Sequence, residues 1–360
     1  MWNWQQNNWP EFKYDIDPLA GFESQFMHQA GMMLGVKKHL TEDEQKSLII
    51  ISLGDEALKT SEIEGEYLNR DSLQSSIRRH FGINTDNRKI SPAESGISEM
   101  MLDLYDTYHH PLTHKDLFRW HSLLTNGRMD LENIGEYRTC LEPMQIVSGR
   151  DYEPKIHFEA PPSSAVTLEM YRYIDWYNSS EKNYSTLTRA AIAHLYFESI
   201  HPFEDGNGRI GRALVIKALS QNLKQPTLIA LSSVINKNKK HYYNALEQNN
   251  KNLEITEWLS YFAKTILQAQ AHSLKLIEFL VKKGKFYNNY KELLNARQEK
   301  VINRIFAETT YDFEGGMSSR KYISITKTSK ATATRDLQEL VNIGAMVKTG
   351  ILKGTRYYLT

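Results

Sequence analysis

Apolar residues recur at helical spacing along most of this chain, and alternating β-branched runs are few. The periodicity predicts helices near 44–59, 71–81, 91–109, 114–125, 164–178, 186–200, 209–222, 240–250 and 255–282. Ser91-Pro92-Ala93-Glu94 reads as a helix start, with serine at the cap, proline in the first turn and an acid following. The stretch from Ile134 to Pro162 breaks the pattern. It holds Gly135, Pro143, Gly149, Pro154, Pro161 and Pro162 around Gln145-Ile146-Val147-Ser148-Gly149-Arg150-Asp151-Tyr152. A short apolar pair, a glycine turn and an aromatic predict a small exposed hairpin in a long loop. Residues 281–300, rich in Lys, Glu and Asn, read as a helical connector. Beyond them, Gln298–Glu308, Ser318–Ile323 and Ser329–Val341 predict three helices, and Ala345–Thr349 with Thr355–Leu359 a hairpin. Three helices and a hairpin is the order of a winged helix-turn-helix.

Composition narrows the class. A chain of 360 residues has room for two or three domains and for a core that needs no disulfide or structural metal. Net charge is +1, so no global field draws it to nucleic acid or membrane, and such binding needs a local patch. Cys140 is its single cysteine, which excludes an internal disulfide framework and fits a reducing compartment. The start, Met1-Trp2-Asn3-Trp4, has neither the basic residues nor the apolar run of a secretory signal. The aliphatic run Leu48-Ile49-Ile50-Ile51 is far too short to span a membrane. The expected location is the cytoplasm, with no membrane partner.

Chemistry concentrates between Leu187 and Leu219. An apolar helix ends at His201-Pro202, because proline pushes the preceding residue out of the α region. Glu204-Asp205-Gly206-Asn207-Gly208 must then turn sharply, and glycine and asparagine adopt positive φ cheaply. Successive N–H groups in such a turn form an anion nest, and the next helix, starting near Arg209, aims its positive end at the same spot. Arg209 and Arg212 share one face of that first turn. Cations at a helix N-terminus are unfavourable unless an anion sits there, so the set predicts a polyphosphate. Asp205 suits Mg²⁺, which is typically held by one or two carboxylates and substrate phosphates. His201 is the group with a pKa suited to general-base work near neutral pH.

This stretch resembles the Fic family motif, His-x-Phe-x-(Asp/Glu)-Gly-Asn-Gly-(Arg/Lys)-x-x-Arg, at every specified position from His201 to Arg212. The resemblance implies a mainly α Fic-type bundle with a small hairpin flap, and a protein adenylyltransferase that moves AMP from ATP to a Ser, Thr or Tyr hydroxyl. It implies His201 as base, Asp205 on Mg²⁺, and Gly206, Asn207, Gly208, Arg209 and Arg212 on the phosphates, with Phe203 packed inside. Thr60-Ser61-Glu62-Ile63-Glu64-Gly65 resembles the family's inhibitory motif, in which Glu64 would pair with Arg212 and block the γ-phosphate. In some members this glutamate also supports AMP removal. Ile146, Val147, Ser148 and Gly149 resemble the flap where a target docks by strand addition. Tyr242, Tyr243 and Asn250 resemble the adenine pocket. The implied domains are 1–110 with an inhibitory helix around 55–68, a Fic core over 111–280, the connector, and a winged unit over 301–360.

The remaining histidines, among them His121 and His194, show no metal-ligand spacing and read as structural. Trp2, Trp4 and Trp9 read as an apolar anchor on the body. Residues 318–360 carry eight basic residues against two acidic ones, with Thr332, Thr334 and Arg335 on the candidate recognition helix. DNA binding, protein contact, self-modification and a homodimer stay open. The alternatives in function are a DNA-binding regulator that senses nucleotide, and an enzyme that transfers another group.

Overall fold

A computed structural model describes residues 1–83, 89–150, 153–308 and 316–360. The chain divides into two units, one of Met1–Gly35 with Lys46–Ser273, the other of Val36–Gln45 with Leu274–Thr360. Asp151 and Tyr152 of the expected hairpin lie outside the described residues.

The helices follow in order. They are α1 (Ala20–Lys37), α2 (Glu42–Ile63), α3 (Arg70–His80), α4 (Pro92–Thr107), α5 (His114–Leu124), α6 (Ser163–Ser179), α7 (Thr186–Ile200), α8 (Asn207–Leu223), α9 (Leu231–Lys237), α10 (Lys239–Asn249) and α11 (Thr256–Tyr290). Between α5 and α6, β1 (Gln145–Arg150) and β2 (Glu153–Glu159) form the expected antiparallel hairpin. The cap at Ser91 is a full capping box with Glu94.

The core of the first unit is built on α7 and α8. From Leu187 to Ile200 every residue of α7 except Glu198 is buried, so this helix needs no polar stripe. Its one buried cation, Arg189, is satisfied by Ser180 Oγ, Asn222 Oδ1, Gln221 Oε1 and the carbonyls of Tyr177 and Ala218. Trp258 on α11 donates to the Ala191 carbonyl at 2.8 Å. The N-terminal tryptophans anchor as expected. Trp4 donates to the Glu159 carbonyl, Trp9 donates to Glu169 and packs edge-on against Tyr196, and Trp2 packs on Phe158.

Helices α4 and α5 meet at Gly96, where an added Cβ would lie 1.9 Å from the Leu123 carbonyl oxygen. That neighbour is backbone and cannot swing away. Gly96→Ala therefore destabilises by roughly 1–3 kcal/mol through overpacking. The check is the midpoint of thermal unfolding, expected several degrees lower; an unchanged midpoint contradicts this packing.

In the second unit, α12 (Ala296–Glu308), α13 (Ser319–Thr326) and α14 (Lys330–Asn342) precede β3 (Met346–Thr349) and β4 (Arg356–Leu359), paired antiparallel. Their core is Val301, Ile302, Tyr322, Leu337, Leu340 and Tyr357 with Phe286 from α11. Asp336 is buried on α14, gripped by Arg297 through two bonds and by the Tyr322 hydroxyl. Thr334 and Arg335 are exposed and Thr332 is half-buried.

Three features differ from the reading of the sequence. The helical connector expected over 281–300 begins as the end of α11, which runs unbroken to Tyr290; a 3₁₀ turn follows at Lys291–Leu293, and α12 begins at Ala296. Phe286 explains it, since its burial gives that stretch a core face of its own. Helix α1 was not expected, because Gly21, Gly31 and Gly35 interrupt its pattern and only Phe26 and Ala30 are buried along it. Helix α9 has seven residues, too few to display a period. Among the described residues no helix is long and apolar enough to cross a membrane.

Candidate functional site

The loop between α7 and α8 is fixed from both ends. His201 caps α7 in the left-handed region, φ 51° and ψ 59°, with its amide on the Phe197 carbonyl at 3.0 Å. A non-glycine residue there is strained and persists only where its surroundings hold it. Phe203 is fully buried and stacks on His121 at 4.3 Å. Asn207 staples the turn from within: its Oδ1 accepts from the Phe203 amide at 2.9 Å and its Nδ2 donates to the Phe203 carbonyl at 2.8 Å. Its side chain is thus spent on shape. Gly206, at φ 84°, starts α8 two residues earlier than expected, at Asn207. Arg138 grips the loop from outside, donating to the carbonyls of His201 at 2.8 Å and Pro161 at 2.6 Å.

Burial, then the charge of Arg138, pushes the His201 pKa down to about 4, so its imidazole is neutral at physiological pH. Its Nδ1 has no hydrogen-bond partner and lies 3.7 Å from Glu198 Oε2. Burial pushes the Glu198 carboxyl up to about 8, against the pull of Arg212.

Both arginines of the turn are held by acids from the end of α2. Arg212, 1% exposed, donates to Glu64 Oε1 at 2.7 Å, to Thr60 Oγ1 at 2.7 Å and to the Thr60 carbonyl at 3.0 Å. Burial works against its charge, but Glu64, Tyr242 and Tyr243 together outweigh it and the pKa rises. Arg209 donates to Glu66 Oε2 at 2.9 Å. The inhibitory helix expected around 55–68 ends at Ile63, so Glu64 stands one residue beyond it. Gly65, at φ 85°, turns the chain there and lets Glu64 and Glu66 reach different arginines. Gly208 makes room: an added Cβ would lie 2.3 Å from Glu64 Oε1.

Asp205 faces two cations, Arg128 at 2.7 Å and Arg209 at 3.3 Å. Burial would raise its carboxyl, but Arg209 and Arg128 together hold it below its ordinary value. Among the described residues no cluster of three His, Cys, Asp or Glu could hold a metal alone. One ionised carboxylate does fit Mg²⁺ that takes its other oxygens from phosphates and water.

These groups border a cavity of about 500 Å³, lined by Glu64, His201, Asp205, Gly206, Asn207, Gly208 and Arg212. Tyr242, Tyr243 and Asn250 border it too, as does the hairpin through Ile146, Val147 and Ser148. Tyr242 is buried, its hydroxyl 2.7 Å from His194 Nε2. Tyr243 lies 3.4 Å from Glu64 Oε2. Asn250 keeps a buried Oδ1 without a partner, and its carbonyl accepts from the Asn3 amide at 2.8 Å. Ile146 and Val147 are exposed on β1, and Gly149 pairs with Pro154 in the hairpin.

A family model described as the Fic/DOC family matches residues 111–219. Residues 111–219 of this chain thus form a Fic/DOC family domain. A second model, described as a domain of unknown function (DUF4172), matches residues 2–83, which include Glu64 and Glu66. A probable protein adenylyltransferase of Aquifex aeolicus is 34% identical over 91 residues, 25% of this chain and 26% of that protein. Protein adenylyltransferase fic-1 of Caenorhabditis briggsae is 24% identical over 235 residues, 65% of this chain and 41% of that protein. Protein adenylyltransferase Fic of Drosophila grimshawi is 32% identical over 120 residues, 33% of this chain and 22% of that protein. The chain thus spans less than half the length of these relatives. The fold is shared with a Fic family protein from Desulfovibrio desulfuricans, with TM-score 0.54 and 20% identity over 94% of this chain and 96% of that one. It is shared also with Fic-1 from C. elegans, with TM-score 0.52 and 19% identity over 74% of each chain.

In this chain, sequence reasoning misses Arg128, Arg138, Glu66 and Glu198. In sequence Glu66 is one of three alternating acids with Glu62 and Glu64. The signal available was spacing: two acids two residues apart across a glycine, facing two arginines three apart.

Proposed function

We propose that the chain is a protein adenylyltransferase that moves AMP from ATP to a hydroxyl side chain of a target protein, and that its resting state is switched off. What carries this reading is the meeting, around one cavity, of a neutral His201, an ionised Asp205 and Arg212, with Glu64 seated on Arg212 and Arg209 paired to Asp205 behind them.

The division of labour follows. The target hydroxyl gives its proton to His201, and its oxygen attacks the α-phosphorus of ATP as pyrophosphate leaves. Glu198 Oε2 stands 3.7 Å from Nδ1, beside the base. The backbone at Gly206, Asn207 and Gly208, with Arg209, receives phosphate oxygens, and Arg212 receives the γ-phosphate once Glu64 lets go. Asp205 would hold Mg²⁺, which neutralises phosphate charge when bound. Tyr243 flanks the base and Asn250 Oδ1 accepts from the adenine amino group, while buried Tyr242 supports that wall. The exposed edge at Ile146, Val147, Ser148 and Gly149 receives the target backbone. Glu64 freed from Arg212 can also orient a water for AMP removal.

The donor is tested by mass spectrometry. Glu64→Gly incubated with Mg²⁺ and an equal mixture of ATP, GTP, CTP and UTP is expected to leave AMP on hydroxyl residues. Another nucleotide or phosphate as the added group contradicts the choice of ATP.

A further inference from the structure

One array on the cavity rim is not used by this mechanism. Ser148 Oγ on β1 lies 2.5 Å from His157 Nε2 on β2, and His157 Nδ1 lies 2.6 Å from Glu247 Oε2 on α10. The residues are ninety and nine positions apart in the chain, and a local defect brings them together. The hairpin pairs Ile146 with Phe158 but Val147 with Ile156, so His157 is the extra residue of a bulge. A bulge re-aims the side chain it carries, and bulges are frequent beside active sites. Here it turns His157 between Ser148 and Glu247. Lys155 Nζ sits 3.2 Å from the other Glu247 oxygen, and the bond from His157 leads the interactions that hold Glu247 below its ordinary pKa.

Order and distances are those of a serine nucleophile, an imidazole base and an orienting carboxylate. With Nδ1–H donated to Glu247, Nε2 is free to accept the Ser148 proton. Ser148 is exposed, and Ser148, His157 and Glu247 line the same cavity as His201 and Arg212. We propose that Ser148 is a self-acceptor, activated by His157 and Glu247, that takes the nucleotidyl group from ATP bound in its own cavity. Ser148 Oγ forms a bond to the α-phosphorus. The bond from that phosphorus to the bridging oxygen breaks, its electron pair leaves with pyrophosphate, and the hydroxyl proton passes to His157 Nε2. The product is a phosphodiester on the flap, which then obstructs the edge proposed to receive the target. This rests on the reading of the cavity as an ATP site.

The test maps modified peptides of full-length Glu64→Gly after incubation with ATP and Mg²⁺. AMP is expected on Ser148, and Ser148→Thr, which keeps a hydroxyl, is expected to carry it at the same position. Adding His157→Gln is expected to lower the rate of labelling at Ser148 at least about 100-fold, the loss of a general base. Adding Glu247→Gln, which keeps a hydrogen-bond acceptor but removes the charge, is expected to lower it at least about tenfold. Thermal unfolding of each variant separates these losses from misfolding. AMP on other residues with none on Ser148 overturns the proposal and leaves AMP transfer standing, as does a folded His157→Gln variant that labels Ser148 at an undiminished rate. Label on no peptide overturns the ATP reading and this proposal with it.

Discussion

Glu64→Gly is expected to raise AMP transfer by about tenfold to a hundredfold over the wild type. Arg212 is buried and makes an ion pair with Glu64 at 2.7 Å. A hydrogen bond to a charged group is worth roughly 1.5–3 kcal/mol, and each 1.4 kcal/mol is about a factor of ten in occupancy. In the proposed mechanism ATP seats its γ-phosphate on Arg212 only after that bond opens, so removing the carboxylate is expected to shift the population by that amount. The sign on stability is opposite. Without Glu64 the buried guanidinium keeps its bonds to Thr60 but loses its ion pair, so the variant is expected to unfold at lower temperature in the absence of ATP and to gain more from ATP than the wild type does. Label incorporation and thermal shift with and without ATP check both halves. Glu66 remains on Arg209 in that variant, so the release is partial. Changing Glu66 to glycine as well is expected to raise transfer further.

Replacing His201 in the Glu64→Gly background is expected to lower transfer by about 100- to 10,000-fold, the contribution of a positioned general base. The replacement needs care, because residue 201 stands at φ 51°. Alanine pays for that conformation, whereas asparagine adopts it more readily and still offers no base. Both variants are expected to fall together in rate, and His201→Asn to keep more of its thermal stability. An asparagine variant that transfers AMP at the parent rate contradicts the assignment of His201.

Much of this site is legible in the chain because its parts are close in sequence. From His201 to Arg212 the spacing alone places proline at the helix end, glycines in the turn and two arginines on one helical face. The hairpin is legible from its glycine and flanking prolines, and Glu64 from its place in a short motif. What escapes is contact between distant segments. Arg209 meets Glu66 across 143 positions, Arg128 meets Asp205 across 77, and Arg138 meets the His201 carbonyl across 63. No periodicity links such pairs. Asn207 is a subtler case: its place in the motif is clear from sequence, but its side chain shapes the loop, which leaves its backbone for the proposed phosphate contact. Helix α1 escaped because glycines blur its period, and the end of α11 because its Lys- and Asn-rich surface conceals the face that buries Phe286.

The central claim is that one loop performs transfer and that an acid from the end of α2 restrains it. Incorporation of α-labelled ATP, measured side by side for wild type, Glu64→Gly and Glu64→Gly with His201→Asn in the presence of Mg²⁺, tests it most directly. The account predicts weak label on the wild type, strong label on Glu64→Gly and near-background label on the double variant. Equal label on all three would contradict it.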